Sequence, residues 1–144
     1  MNPWIHAKNS ANRYQGEPCD YLEIHQFMDS AKEHLGTIVH RIVLHNTFGI
    51  ALAEKLFGDI IQTGTGKFVR QPFITNSDGK KVFIRDIAQD HVLEDMHGSI
   101  PTMSELFEDI TVELIGSKLG LFGPLIKRAR RDLGIDNEKG KKNE

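Results

Sequence analysis

Apolar positions along the first third of the chain recur at helical spacing. Tyr21, Ile24, Phe27, Met28, Ala31 and Leu35 fall every three or four residues and predict one apolar helix face. Asp20-x-x-Glu23 supplies a start for that helix, and Gly36 a stop. From Thr37 to Phe57 the pattern thickens. Ile38, Ile42, Leu52 and Leu56 share one side, while Val39, Val43, Leu44, Phe48 and Ile50 cover much of the rest. A helix apolar almost all round is a buried one, so residues 37–57 are expected to form the central helix, closed by Gly58.

After residue 66 the period changes. Lys67–Thr75 and Lys80–Arg85 are rich in Val, Ile and Phe and flank the turn sequence Asn76-Ser-Asp-Gly79, which predicts a β-hairpin over about 67–85. Pro72 assigns its first strand to an edge. Short helices are expected at Trp4–Tyr14, about Ile87–Met96 after Asp86-x-x-Gln89, and about Met103–Ile110 after Thr102-x-x-Glu105. The predicted fold class is mainly α with one β-hairpin, α+β, packed around the central helix 37–57.

Charge divides the chain. Residues 1–117 carry 10 Lys/Arg against 16 Asp/Glu, and residues 118–144 carry 8 against 4. The expected organisation is a helical domain over 1–117 and a basic tail over 118–144, disordered from about 134, where large apolar side chains run out. The 144 residues suit one domain, and 39% hydrophobic residues suffice for a modest core. One cysteine excludes an internal disulfide framework and a zinc site of four cysteines or of two cysteines and two histidines. No apolar run reaches the roughly 18 residues a membrane span needs, and the N-terminus lacks a signal-peptide core, so a cytoplasmic protein is expected.

Several catalytic motifs are ruled out. Thr63-Gly-Thr-Gly-Lys67 is no phosphate loop, because Ile61 stands where the first glycine is needed and Phe68 where Ser or Thr must follow the lysine. There is no Gly-x-Ser-x-Gly elbow, no His-Glu-x-x-His and no EF-hand loop. Cys19, between Pro18 and Asp20, has no catalytic setting.

The seven histidines carry the main chemical signal. On a helical wheel His45 falls in the apolar stripe between Ile42 and Leu52, and a buried imidazole needs a hydrogen-bond partner, a metal or a water. Arg41, one turn earlier, calls with it for an acid from another helix. His91 with Glu94, at i, i+3, offers that acid, and His25 with Asp29, at i, i+4, is a weaker local pair. Imidazole with carboxylate suits zinc, manganese or iron. His40 lies on a second polar stripe with Thr47 and Glu54. In the tail, Lys127, Arg128, Arg130 and Arg131 follow an apolar stretch, a weak partner-binding element for nucleic-acid phosphates or an acidic surface.

Ordered blocks of sequence bring a family into view: His6-Ala, Asp20-Tyr-Leu-x-Ile-His25, His40-Arg-x-x-x-His45, Ile74-Thr-Asn-Ser-Asp-Gly79, Val82-x-Ile-Arg-Asp86, His91-Val-x-Glu-Asp95 and Ile100-Pro-Thr102. Over about residues 4–110 the chain resembles an uncharacterised family of small bacterial and phage proteins, a domain of unknown function. The resemblance implies that His6, His25, His40, Arg41, His45, His91 and Glu94 are the family's polar signature positions, and it implies no activity. Against that pattern, Ile60–Pro72 looks like an insertion, Ala88-Gln-Asp90 replaces Gly-Glu-Gln, and residues beyond about 115 look like an addition.

The leading functional expectation is a small intracellular protein with a His/Glu polar pocket at His45, His91 and Glu94, binding a divalent metal and acting as a hydrolase. His25 and Asp29 are weaker candidate ligands, with Arg41, His40 and His6 in support. The competing expectation is a non-catalytic phage or mobile-element accessory protein that binds a host protein, its histidines serving only rigidity. Nucleic acid is a third partner class, reached through the tail alone.

Overall fold

The computed structural model describes residues 1–109 and, beyond them, positions 128, 131 and 132. Residues Met1–Pro101 form one compact unit, and a second begins at Thr102. The expected 117/118 boundary and the expected disorder from about 134 lie outside the described residues.

The first unit is α+β, as its sequence pattern predicts. Helix α1 (Pro3–Tyr14) and helix α2 (Pro18–Met28) pack against each other. Helices α3 (Lys32–Leu44) and α4 (Thr47–Leu56) follow, then strands β1 (Ile60–Gln62), β2 (Phe68–Arg70), β3 (Phe73–Thr75) and β4 (Lys81–Phe83), then helix α5 (Ile84–Asp95). The core joins Ala7 of α1, Tyr21, Ile24 and Met28 of α2, Leu44, Ile50 and Ala53 of the α3–α4 region, and Val82, Ile84, Ile87, Ala88 and Val92. In the second unit, helix α6 (Met103–Asp109) starts with the expected capping box: Thr102 N–H donates to Glu105 Oε2 at 2.6 Å, and Glu105 N–H to Thr102 Oγ1 at 3.2 Å.

Several expectations need correction. The continuous central helix 37–57 is two helices. Asn46 breaks it: its Oδ1 accepts from the N–H groups of Phe48 (2.9 Å) and Gly49 (3.1 Å), while its Nδ2 donates to the carbonyls of Ile42 (2.7 Å) and Val43 (3.2 Å). One side chain thus caps both helix ends that meet there. Gly49 allows the tight corner, since a Cβ there would lie 1.9 Å from the Leu44 carbonyl oxygen. The central element is instead α5, which packs on α1, α2, α4 and β4.

The helix expected to run from Asp20 to Leu35 spans Pro18–Met28 and ends in a turn at Asp29 and Ser30, residues whose side chains compete with helical backbone bonds. Asp20 is not its N-cap. It sits at the third helical position and accepts from Glu17 N–H (2.8 Å), Ser77 N–H (3.0 Å) and Ser77 Oγ (2.5 Å), pinning the Asn76–Gly79 turn to the start of α2. Gly36 does not stop that helix either; it lies within α3 at φ 77°, ψ −178°, where it bends the chain.

The single hairpin is two. β3 and β4 pair antiparallel around the expected turn, Ile74 opposite Val82. The segment 67–75 is no single strand: it breaks at Gln71-Pro72, and β2 turns back to pair with β1, Ile61 opposite Val69. Thr63-Gly-Thr-Gly-Lys67 closes this second hairpin as a turn, with Thr63 N–H donating to Lys67 O at 2.7 Å. Asp86 is not the cap of α5, which starts two residues earlier at Ile84.

Candidate metal centre

The chemistry collects where the buried stripes of these helices meet. On α5 the buried residues are Ile84, Ile87, Ala88, His91, Val92 and Asp95, a regular helical stripe that ends in two polar groups. On α2 the stripe Tyr21, Ile24, His25 and Met28 runs on into Asp29. α1 contributes His6 and Ser10, α3 contributes His40, and the Asn46 corner presents His45. Five histidines and two aspartates are therefore buried together, none more than 6% exposed.

Their contacts form one connected set. His91 stands in the middle, with Nδ1 3.0 Å from His25 Nδ1 and Nε2 3.0 Å from His45 Nε2. His45 Nε2 is also 3.2 Å from Asp95 Oδ2 and 3.6 Å from Asp29 Oδ1. Asp29 Oδ1 lies 3.2 Å from His40 Nε2 and 3.4 Å from His91 Nε2. His6 Nε2 lies 3.3 Å from Asp95 Oδ1. Ser10 Oγ meets His25 Nε2 at 2.9 Å.

Proton bookkeeping gives these distances their meaning. His40 Nδ1 donates to the Gly36 carbonyl at 2.9 Å, and a carbonyl can only accept. A neutral His40 therefore aims the lone pair of Nε2 at Asp29 Oδ1, another acceptor. Only a proton or a metal cation reconciles such a pair. His6 differs: it lies between two carboxylates, Nδ1 2.6 Å from Glu94 Oε2 and Nε2 3.3 Å from Asp95 Oδ1, a setting that favours the protonated ring. His6 Nε2, Asp29 Oδ2 and His45 Nδ1 are buried with no hydrogen-bond partner of acceptable geometry.

The spacings match a coordination shell. Bonds of about 2.1 Å around an ion put neighbouring ligands about 3.0 Å apart in an octahedron and about 3.4 Å apart in a tetrahedron. The contacts around His45, His91, Asp29, His40 and Asp95 run from 3.0 to 3.8 Å. Two groups are compact enough to hold an ion, His6 with His25 and His91, and Asp29 with His40, His45 and Asp95.

Burial keeps three of the imidazoles, His25, His45 and His91, in their ligating form. It pushes His25 down to about 3 and His91 down to about 4, helped in each by neighbouring imidazoles. Burial also lowers His45, against the opposing pull of Asp95. His6 goes the other way: burial lowers it, but Asp95 and Glu94 together outweigh burial and raise it. For Asp29 and Asp95 burial favours the neutral acid, yet the facing imidazoles, and for Asp95 the Met1 ammonium 2.7 Å from Oδ1, hold both carboxyls below the usual range. Ionised carboxylates beside neutral imidazoles are what a divalent transition metal requires.

Asp29 also lines a surface cleft. The cleft, of about 470 Å³, is lined by Pro3, Gln26, Asp29, Ser30, Lys32 and Glu33. A second cleft of about 480 Å³, lined by Lys55, Arg70 and Arg85 among others, contains none of the His/Asp set.

His45 and His91, expected at the centre, do meet. Glu94 does not reach them: it holds His6 and Asn9 (3.1 Å), and Asp95 takes the place expected of it. The reason is helical geometry, since Asp95 at i+4 from His91 stays on the buried stripe that Glu94 leaves. His25, Asp29, His40 and His6 all join the set. Arg41 has no ion pair among the described residues, and its Nε is buried without a hydrogen bond. Arg128 and Arg131 are exposed, 4.0 and 3.8 Å from Asp132, while Lys127 and Arg130 lie outside the described residues. Asp95 and Ser10 are absent from the sequence expectation. The stripe Ile84-x-x-Ile87-Ala88-x-x-His91-Val92-x-x-Asp95 carries the signal for Asp95.

No curated protein and no solved structure matches the chain. A family model described as a domain of unknown function, DUF6915, matches residues 1–115, so the chain that builds this His/Asp centre belongs to that family.

Proposed function

We propose that the buried His/Asp cluster holds divalent transition metal, zinc, manganese or iron, and that the protein is a metal-dependent hydrolase whose substrate enters by the cleft beside Asp29. The observation that carries this reading is a meeting of acceptor atoms, His40 Nε2 against Asp29 Oδ1, with His40 Nδ1 committed to the Gly36 carbonyl. A divalent ion held by these residues would lower the pKa of a coordinated water to about 7 and so would supply a nucleophile at neutral pH. Glu94 and the Gly36 carbonyl orient His6 and His40 from behind, the arrangement that fixes tautomer and ring angle in metal sites. Lys32, Ser30 and Gln26 give the cleft polar groups with which to hold a substrate.

The test is to strip the full chain with chelator, offer Zn(II), Mn(II) or Fe(II) in turn, remove free ion and measure bound metal by mass spectrometry. At least one equivalent of one metal is expected, together with metal-dependent cleavage of p-nitrophenyl phosphate or p-nitrophenyl acetate. His45→Gln should bind less metal and lose the cleavage. Less than a tenth of an equivalent with all three metals refutes the reading.

One observation favours a second reading, a protein-binding module. The β1–β2 hairpin exposes Ile60 (58%) and Phe68 (73%) on one face and the opposed pair Ile61 and Val69 on the other. Such a patch is typical of an interaction surface. Removing the hairpin separates the readings, because it would abolish partner binding and leave metal content intact.

A further inference from the structure

The ligand set is larger than one ion can use. Seven buried side chains converge, and four to six donors complete the shell of a first-row transition metal. They also fall into two groups, with the Asp95 carboxylate lying between them. Its Oδ1 faces His6 Nε2 at 3.3 Å, and its Oδ2 faces His45 Nε2 at 3.2 Å. The His91 ring spans the same gap, Nδ1 toward His25 and Nε2 toward His45 and Asp29.

We infer that the centre is dinuclear: one ion bound by His6, His25 and His91, a second by Asp29, His40 and His45, and the Asp95 carboxylate bridging them with one oxygen on each. This rests on the metal-binding reading above and deepens it.

Three features argue for two ions. Asp95 presents both oxygens to imidazole nitrogens on opposite sides, which is how a bridging carboxylate is used. The two groups hold three and four buried donors, enough to anchor one ion each. His91 turns one ring nitrogen to each group, Nδ1 toward His25 and Nε2 toward His45 and Asp29. Paired ions of this kind clamp an oxyanion between them and suit displacement at phosphorus or at a carbonyl. The ligand class expected is therefore an ester whose oxyanion the paired ions would clamp, the cleft itself being lined by both Lys32 and Glu33.

The experiment is metal stoichiometry on the full chain, stripped and reloaded with Mn(II), read by mass spectrometry and by electron paramagnetic resonance. The expected result is two Mn(II) per chain and the broadened multiline spectrum of an exchange-coupled pair. His25→Gln in the first group and His40→Gln in the second should each bind one Mn(II) and show the six-line spectrum of an isolated ion. One Mn(II) in the unaltered chain, or two that give only isolated-ion spectra, overturns the dinuclear centre and leaves the metal-binding reading standing. No Mn(II), Zn(II) or Fe(II) at all overturns both. The unaltered chain decides the question even if a variant fails to fold.

Discussion

Asn46 shows how much one side chain decides here. It makes four hydrogen bonds, two to each of the helices that meet at its corner, and so sets where His45 points. Asn46→Ala should cost about 1–2 kcal/mol for the lost cap alone, and more for the Ile42 and Val43 carbonyls left unpaired. Urea unfolding of the two chains measures it. Gly49→Ala should be costly too, because its Cβ would lie 1.9 Å from a backbone oxygen; overpacking of this kind typically costs about 1–3 kcal/mol. Glu94 acts at the same scale but on chemistry. It is no member of either ion-binding group, yet it holds His6 Nδ1. Glu94→Gln should weaken metal affinity by about 10–100-fold without changing the number of ions bound at saturation. Competition with a chromophoric chelator reads that affinity, and unchanged affinity would remove Glu94 from the centre's support.

At the scale of elements, α2 and α5 bring His25 and His91 together as neutral rings, and this carries a pH dependence. Both have folded values well below the unfolded histidine's, about 3 and about 4. Between those values and about 6.5 the unfolded chain binds protons that the folded chain refuses, so stability rises with pH through this window and falls on acidification. The lowered carboxyls of Asp29 and Asp95 act in the same direction at lower pH, and His6, raised, acts against them. The chelator-treated protein should therefore unfold more easily in urea at pH 5 than at pH 7. Equal midpoints would mean that the two rings are not neutral in the fold. The β1–β2 hairpin makes a contrasting prediction. Its ends are held together below it: Gln71 N–H donates to Asp59 O at 2.7 Å, and Asp59 N–H to Phe73 O at 2.9 Å. Replacing residues 60–70 by two glycines should leave the far-ultraviolet circular dichroism of the helices and the metal content unchanged.

For the whole molecule, metal held at the buried centre as proposed would be coupled to stability. A site that forms only in the folded chain adds stability by mass action, about 4 kcal/mol when the free ion stands at a thousand times its dissociation constant. Metal should raise the melting temperature by several degrees, and excess chelator should reverse the gain. Among the described residues no helix is long and apolar enough to cross a membrane.

What the sequence determined by itself is local and periodic. The α+β class, the capping box at Thr102, the turn at Asn76–Gly79 and the burial of His45 follow from spacing and from residue types whose preferences act within a few positions. The polar positions His6, His25, Asp29, His40, His45 and His91 were legible as a list. The tertiary structure decided what that list means. It broke the 37–57 helix because Asn46 and Gly49 together make a corner that periodicity alone does not reveal. It folded Ile60–Arg70 onto itself because pairing partners are chosen across space. It also chose Asp95 over Glu94, since which acid meets His45 depends on the face of α5 that packs inward. The encounter of His6, His25, Asp29 and His40 with that face joins residues from four separate helices, whose sequence positions carry no record of their distance.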